Sequence, residues 1–205
     1  MKGNENLQNA DWIDRKIKEN LVYTDPERIR VLDICCGVYS SGSNYDQTGE
    51  VYEPVVAQFL AKNSYEVTGI DFRKNNRPVK YNHISNINVL DSDWHSKLTN
   101  KFNVVCFLRS WDTPEILLEF QKKFGILDVN QLTFEIAKYF LPDFVKLLGN
   151  NGLLFITDVF REDLGTDEKM LNTLKLELDI LLDSLGLQQL SNENGLWCFR
   201  SKPGN

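Results

Sequence analysis

Val31-Leu32-Asp33-Ile34-Cys35-Cys36-Gly37 (VLDICCG) reads as the end of a buried strand that carries an acid and then enters a glycine turn. The apolar run starts at Ile29 and continues to Cys35. A strand without polar alternation is covered on both faces, which is the condition of a strand inside a parallel sheet. Similar runs recur outward from it. Glu66 to Asp71 (EVTGID) reads as a second strand, Asn86 to Leu90 (NINVL) as a third, Phe102 to Leu108 (FNVVCFL) as a fourth and Gly152 to Thr157 (GLLFIT) as a fifth. Helical patterns separate them. Asp11 to Leu21 places Trp12, Ile13, Ile17 and Leu21 on one helical face, and Pro54 to Lys62 opens with proline in its first turn. Thr113 to Leu148 is mostly helical and divided at Pro142, with a last piece from Asp143 that stops at Gly149. Asp167 to Leu185 carries a leucine stripe and ends at Gly186. Leu187 to Leu190 and Leu196 to Arg200, joined by a turn over Asn192 to Gly195, close the chain as a hairpin. The expected fold is therefore α/β: a doubly wound, seven-stranded, mostly parallel sheet with a C-terminal antiparallel hairpin and helices on both faces.

A chain of 205 residues suits one domain over residues 11–205, after a flexible segment over residues 1–10. The net charge of -6 and a pI near 5.0 argue against broad phosphate neutralisation, and so against nucleic acid as a partner. Mean hydropathy is -0.34, and no apolar run approaches the roughly 20 residues of a membrane helix. The polar start, Met1 to Ala10, lacks a signal-peptide core, so a cytoplasmic location is expected. Cys35, Cys36, Cys106 and Cys198 form no CxxC pair, and His83 and His95 are too few to complete a zinc site with them. Buried, reduced thiols are expected, with Cys35 and Cys36 on opposite faces. His83 and His95 read as surface residues.

Chemistry concentrates at strand ends, where ligands bind in doubly wound sheets. Gly37 lets backbone approach a ligand, and Asp33 places an acid beside that turn, which suits a cation and not a pyrophosphate. Asp71 ends the second strand, where a carboxylate can accept from both hydroxyls of a ribose. Asp91 ends the third, within reach of an adenine amino group; of Asp91 and Asp93, one is expected as a helix cap. Trp94 reads either as a wall for the base or as core. Arg109, Ser110, Trp111 and Asp112 follow the fourth strand; Arg109 could hold an anionic substrate, and Asp112 reads either as a base or, the favoured reading, as a helix cap before Pro114, a place Thr113 could also take.

These residues resemble the class I S-adenosylmethionine-dependent methyltransferases over about residues 12–201. VLDICCG resembles the family's first motif, VTGIDF the second and NVLDSD the third; KFNVVCFLRSWD resembles its fourth strand with the loop that follows, and LLGNNGLLFITD the fifth with the turn before it. The resemblance implies cofactor contacts from Asp33, Cys35, Gly37, Asp71, Phe72, Asp91, Ser92 and Leu108. It implies S-adenosylmethionine as cofactor, and the acidic balance of the chain tilts the methyl acceptor towards a small molecule or a protein. It assigns no catalytic residue. Two departures stand in the first motif: Cys35 replaces the first glycine, read as a mild change, and Tyr39 replaces the third. Asp33 and Asp71 are 38 residues apart, and the excess over a simple strand-helix-strand unit lies in a polar inserted loop over residues 38–53, rich in Tyr, Ser and Gly. A nicotinamide-dependent oxidoreductase would need a GxGxxG turn that CCGVYS lacks; a catalytically inactive binding module is the other alternative.

Overall fold

β1 (Arg30–Ile34) is buried from Val31 onward, as its largely apolar sequence predicts, and Asp33 is buried with it. In this computed structural model, which describes residues 2–21, 28–36, 54–71, 78–108, 111, 114–162, 165–193 and 195–203, β1 pairs in parallel on both sides. Its neighbours are β2 (Glu66–Ile70) and β4 (Phe102–Phe107). Beyond β2 lies β3 (Asn82–Ile84), and beyond β4 lies β5 (Leu148–Thr157), both parallel. β7 (Leu196–Ser201) then runs antiparallel to β5 and to its own partner β6 (Leu187–Glu193). The sheet order is β3-β2-β1-β4-β5-β7-β6. The chain order reverses between β1 and β4, and the carboxyl ends of those strands flank the resulting crevice.

Strand alternation sorts the side chains into two cores. Leu32, Ile34, Ile70, Val105, Phe107 and Ile156 face one side. There they meet α3 (Pro114–Phe124), α4 (Val129–Leu147) and α5 (Glu168–Ser184). Val31, Val67, Val104, Cys106 and Phe155 face the other side, under α1 (Lys2–Asn20) and α2 (Val55–Lys62). A one-residue slip of β1 would exchange the two sets and bring Asp33 to the wrong face.

The structure departs from the sequence reading in four places. The third strand is Asn82–Ile84 and not Asn86–Leu90. Asn86 is left-handed (φ 63°) and the Asn88 carboxamide accepts from the Leu90 N–H at 3.1 Å, so that segment turns. Pro142 lies inside α4 without dividing it. Phe140, Leu141, Phe144 and Leu147 are all buried around it, and at about 1.5–3 kcal/mol each their burial outweighs the ~3 kcal/mol of an interior proline. The break falls instead after Gly125 (φ 68°), and Asp128 starts α4 by accepting from the Gln131 N–H at 2.9 Å. β5 begins at Leu148, so Gly149 belongs to a strand and does not end a helix. Finally, α1 begins at Lys2, not Asp11, and Ala10 is fully buried. Among the described residues no helix is long and apolar enough to cross a membrane.

Candidate functional site

Register places one row of residues side by side across the sheet. His83 on β3 pairs with Gly69 on β2, Gly69 with Asp33 on β1, Asp33 with Cys106 on β4, and Cys106 with Phe155 on β5. Paired residues share a face, here the one under α1 and α2. An acid therefore sits between Gly69 and Cys106 in this row, and Asp33 is only 4% exposed. Its carboxyl accepts the backbone N–H of Ala57, in the first turn of α2. That turn has no acid of its own, and its cap residue, Pro54, makes no side-chain cap hydrogen bond. Asp33 thus caps α2 from the sheet.

Burial pushes the Asp33 carboxyl up to about 7; the Ala57 N–H opposes this, and the nearby charge of Asp71 adds to it. Asp71 is the residue after β2, 5% exposed, and its N–H donates to Ile84 O at 3.2 Å. Two carboxylates expected at neighbouring strand ends are thus close enough to act on each other.

Around them lies a cluster that sequence reasoning missed. The Cys36 N–H donates to Ile70 O at 3.1 Å, which carries the β1–β2 pairing one step past the strands. Its thiol lies 3.7 Å from the Tyr81 hydroxyl and 3.9 Å from His83 Nδ1. His83 is half-buried in this cluster and is not the surface residue expected. Gly69 makes the cluster possible. A Cβ there would come 2.5 Å from the Tyr81 ring and 2.8 Å from Cys36 Sγ. The glycine inside EVTGI was the available signal, because glycine in a strand marks a close approach. Burial raises the Cys36 thiol well above its ordinary range, with Asp33 and Asp71 reinforcing the effect, so it acts as a neutral packing group.

Cys35 adopts a left-handed conformation (φ 56°). Replacing the motif's first glycine is therefore not the mild change expected, since the Cβ adds about 1–2 kcal/mol of strain there. Cys35 and Cys36 do pack against opposite cores, as expected. None of the four cysteines is in a disulfide.

The other expected contacts are distributed less tightly. Leu108 follows β4, half-buried against the same core as Cys106. Asp91 and Ser92 are exposed in a bend beyond β3. Asp91 pairs with Lys97 at 3.4 Å, and Tyr139 of α4 donates to Leu90 O at 3.3 Å, so this segment leans on the α4 side. Asp93 holds the cap position before a short 3-10 turn (Trp94–Lys97), although its side chain caps nothing. Trp94 is fully buried against Phe144, the core alternative. Trp111 is buried beside Phe107 and donates to Thr157 O at 3.0 Å, which ties the segment after β4 to the end of β5. Gly37, Phe72, Tyr39, Arg109, Ser110, Asp112 and the loop 38–53 lie outside the described residues. Among the described residues no group of His, Cys, Asp and Glu could hold a metal ion.

Further along the carboxyl edge, α4 holds the segment after β5. Asn130 is buried, accepts the Arg161 N–H at 2.7 Å, and donates to Arg161 O and Thr166 Oγ1 at 2.8 and 2.9 Å. Thr133 donates to Val159 O, and Thr166 donates to Asp128.

No family model and no curated protein matches the chain. Solved structures do match. Two crystal forms of MycE methyltransferase from the mycinamycin biosynthetic pathway, in complex with Mg and SAH, are 13% and 14% identical with TM-scores of 0.55 and 0.58. They cover 94% and 95% of this chain, which spans 49% of their length. Magnesium protoporphyrin IX methyltransferase (ChlM) from Synechocystis PCC 6803, with bound SAH, is 13% identical over 96% of this chain and 83% of its own, with a TM-score of 0.53. A candidate hemolysin from Lactococcus lactis is also similar, 12% identical with a TM-score of 0.55, over 97% of this chain and 87% of its own. Sheet order and these likenesses together show that the chain has the class I methyltransferase fold.

Proposed function

We propose that the chain is an S-adenosylmethionine-dependent methyltransferase acting in the cytoplasm on a small molecule or a protein. The observation that carries this reading is the burial of Asp33 and Asp71 together at the carboxyl ends of β1 and β2, beside the switch point. Two acids there fit a cationic nucleoside. Asp71 would accept from the ribose hydroxyls, and Asp33 would set a negative potential beneath the sulfonium. The backbone at Cys35 and Gly37 would line the donor, and Phe72 and Leu108 would flank it. Asp91 and Ser92 would reach its base. The donor, when bound, supplies both the methyl group and its leaving group. The chain's own residues therefore bind and orient, and exclude water from an in-line displacement at carbon.

The same geometry disfavours a nicotinamide dinucleotide. Its pyrophosphate would need free N–H groups at a helix N-terminus after β1, and Asp33 already occupies an N–H in the first turn of α2. Calorimetry with S-adenosylmethionine, its demethylated product SAH and NADH separates the readings. Binding of the first two but not of NADH is expected. A folded protein that binds none of them would be a non-catalytic module. Labelled methyl donor incubated with cell extract, followed by fractionation of the label, then identifies the acceptor class.

A further inference from the structure

We propose that donor binding is coupled to ionisation of Asp33: its carboxyl holds a proton in the unliganded protein and releases it to solvent when the sulfonium arrives. This rests on the cofactor reading above. The argument is geometric first. Asp33 is enclosed by Gly69 on one side, Cys106 on the other and α2 above, with one backbone donor, the Ala57 N–H. Among the described residues, the charge that acts on it is the negative one of Asp71. β2 brings Asp71, β4 brings the neutral Cys106 thiol, and β1 itself continues into the neutral Cys36 thiol. Tyr81 and His83, from the β3 side, are directed to Cys36. The basic residue of α2, Lys62, lies in its last turn, at the opposite end from Ala57. Among the described residues, no Lys or Arg forms an ion pair with Asp33. Burial and Asp71 together hold the proton on Asp33 near neutrality. A cation brought into the crevice reverses that balance, because opposite charge favours the carboxylate. Asp33 would then act as a carboxylate formed by its ligand, and binding would be weaker in acid.

The test is calorimetry of the whole chain at pH 6 in two buffers of different ionisation enthalpy. At that pH the amino groups of S-adenosylmethionine and SAH both remain protonated, so neither ligand contributes protons itself. Release close to one proton per S-adenosylmethionine is expected, and much less for SAH, which lacks the sulfonium charge. The S-adenosylmethionine Kd should tighten up to about tenfold per pH unit between pH 5 and 7 and level off above. Asp33→Asn should abolish both the release and the slope. Buffer-independent enthalpy at pH 6 with clear binding would overturn the coupling while sparing the cofactor reading. So would equal release with SAH, a comparison that needs no variant, or undiminished release in Asp33→Asn. Absence of binding to either ligand from pH 6 to 8 would overturn the cofactor reading, and this inference with it.

Discussion

Replacing Asp33 with asparagine should remove a pH dependence from the folding free energy. In the folded chain the carboxyl titrates near 7, against an ordinary value of 3.8. The folded state therefore keeps a proton that the unfolded state gives up. Stability falls as pH climbs from about 4 to about 7, and it is level above that range. With these two values the loss assignable to Asp33 is about 2 kcal/mol at pH 5 and about 4 kcal/mol at pH 7. Asparagine retains the shape and an oxygen that accepts from Ala57, but it carries no charge to desolvate. Urea unfolding of both proteins at pH 5, 6, 7 and 8, with equal m-values, gives the difference directly. Groups that titrate in both proteins cancel. The variant should gain about 2 kcal/mol on the parent between pH 5 and 7, and nothing more above pH 8. Parallel stability curves would refute the claim that Asp33 lies desolvated beside a second carboxylate.

Two other substitutions probe the same end of the molecule. Gly69→Ala drives a methyl group into Tyr81 and Cys36, so it should destabilise by about 1–3 kcal/mol and speed the reaction of Cys36 with an aromatic disulfide; an unchanged melting curve and thiol rate would contradict the packing. Asn130→Ala removes three hydrogen bonds that hold Arg161 and Thr166, and should cost about 2–3 kcal/mol. It should also open the 158–166 segment to limited proteolysis, which a merely local change in α4 would not do.

Legibility in the sequence followed the strength of the physical constraint. The central strands were readable because burial on both faces favours apolar residues throughout, as in Val104 to Phe107 and, Asp33 apart, Val31 to Ile34. β3 was misplaced because an edge strand needs neither a long nor an apolar sequence. Asn82–Ile84 is three residues of mixed polarity, whereas Asn86 to Leu90 offered a better apolar pattern and turned out to be a turn. Pro142 misled for a related reason: local preference was outweighed by tertiary burial on either side of it. At the candidate site, the positions of Asp33 and Asp71 were legible because strand ends are fixed by the strands. The partners of Asp33 were not legible. Ala57 contributes a backbone N–H that no side chain advertises, and the Tyr81 that meets neighbouring Cys36 arrives from a segment whose sequence reads as loop.

Three locally unfavourable choices meet at the ends of β1 and β2. Asp33 is an acid in a row whose neighbours on β4, β5 and β7 are Cys106, Phe155 and Cys198. A neutral residue of similar shape would avoid about 4 kcal/mol of ionisation penalty at neutral pH. Cys35 takes a left-handed conformation that glycine would adopt without strain. Gly69 forgoes the β propensity of a branched residue and admits Tyr81 and Cys36 in place of a side chain. Each carries a local cost, and each lies within a few residues of the others along two adjacent strands. The remaining described sheet shows no comparable buried acid among its strand residues. Sequences agree with their fold at every level except where another requirement intervenes. The concentration of such exceptions at one end of two strands is what the proposed donor site there would require, and this support is independent of any likeness to known enzymes.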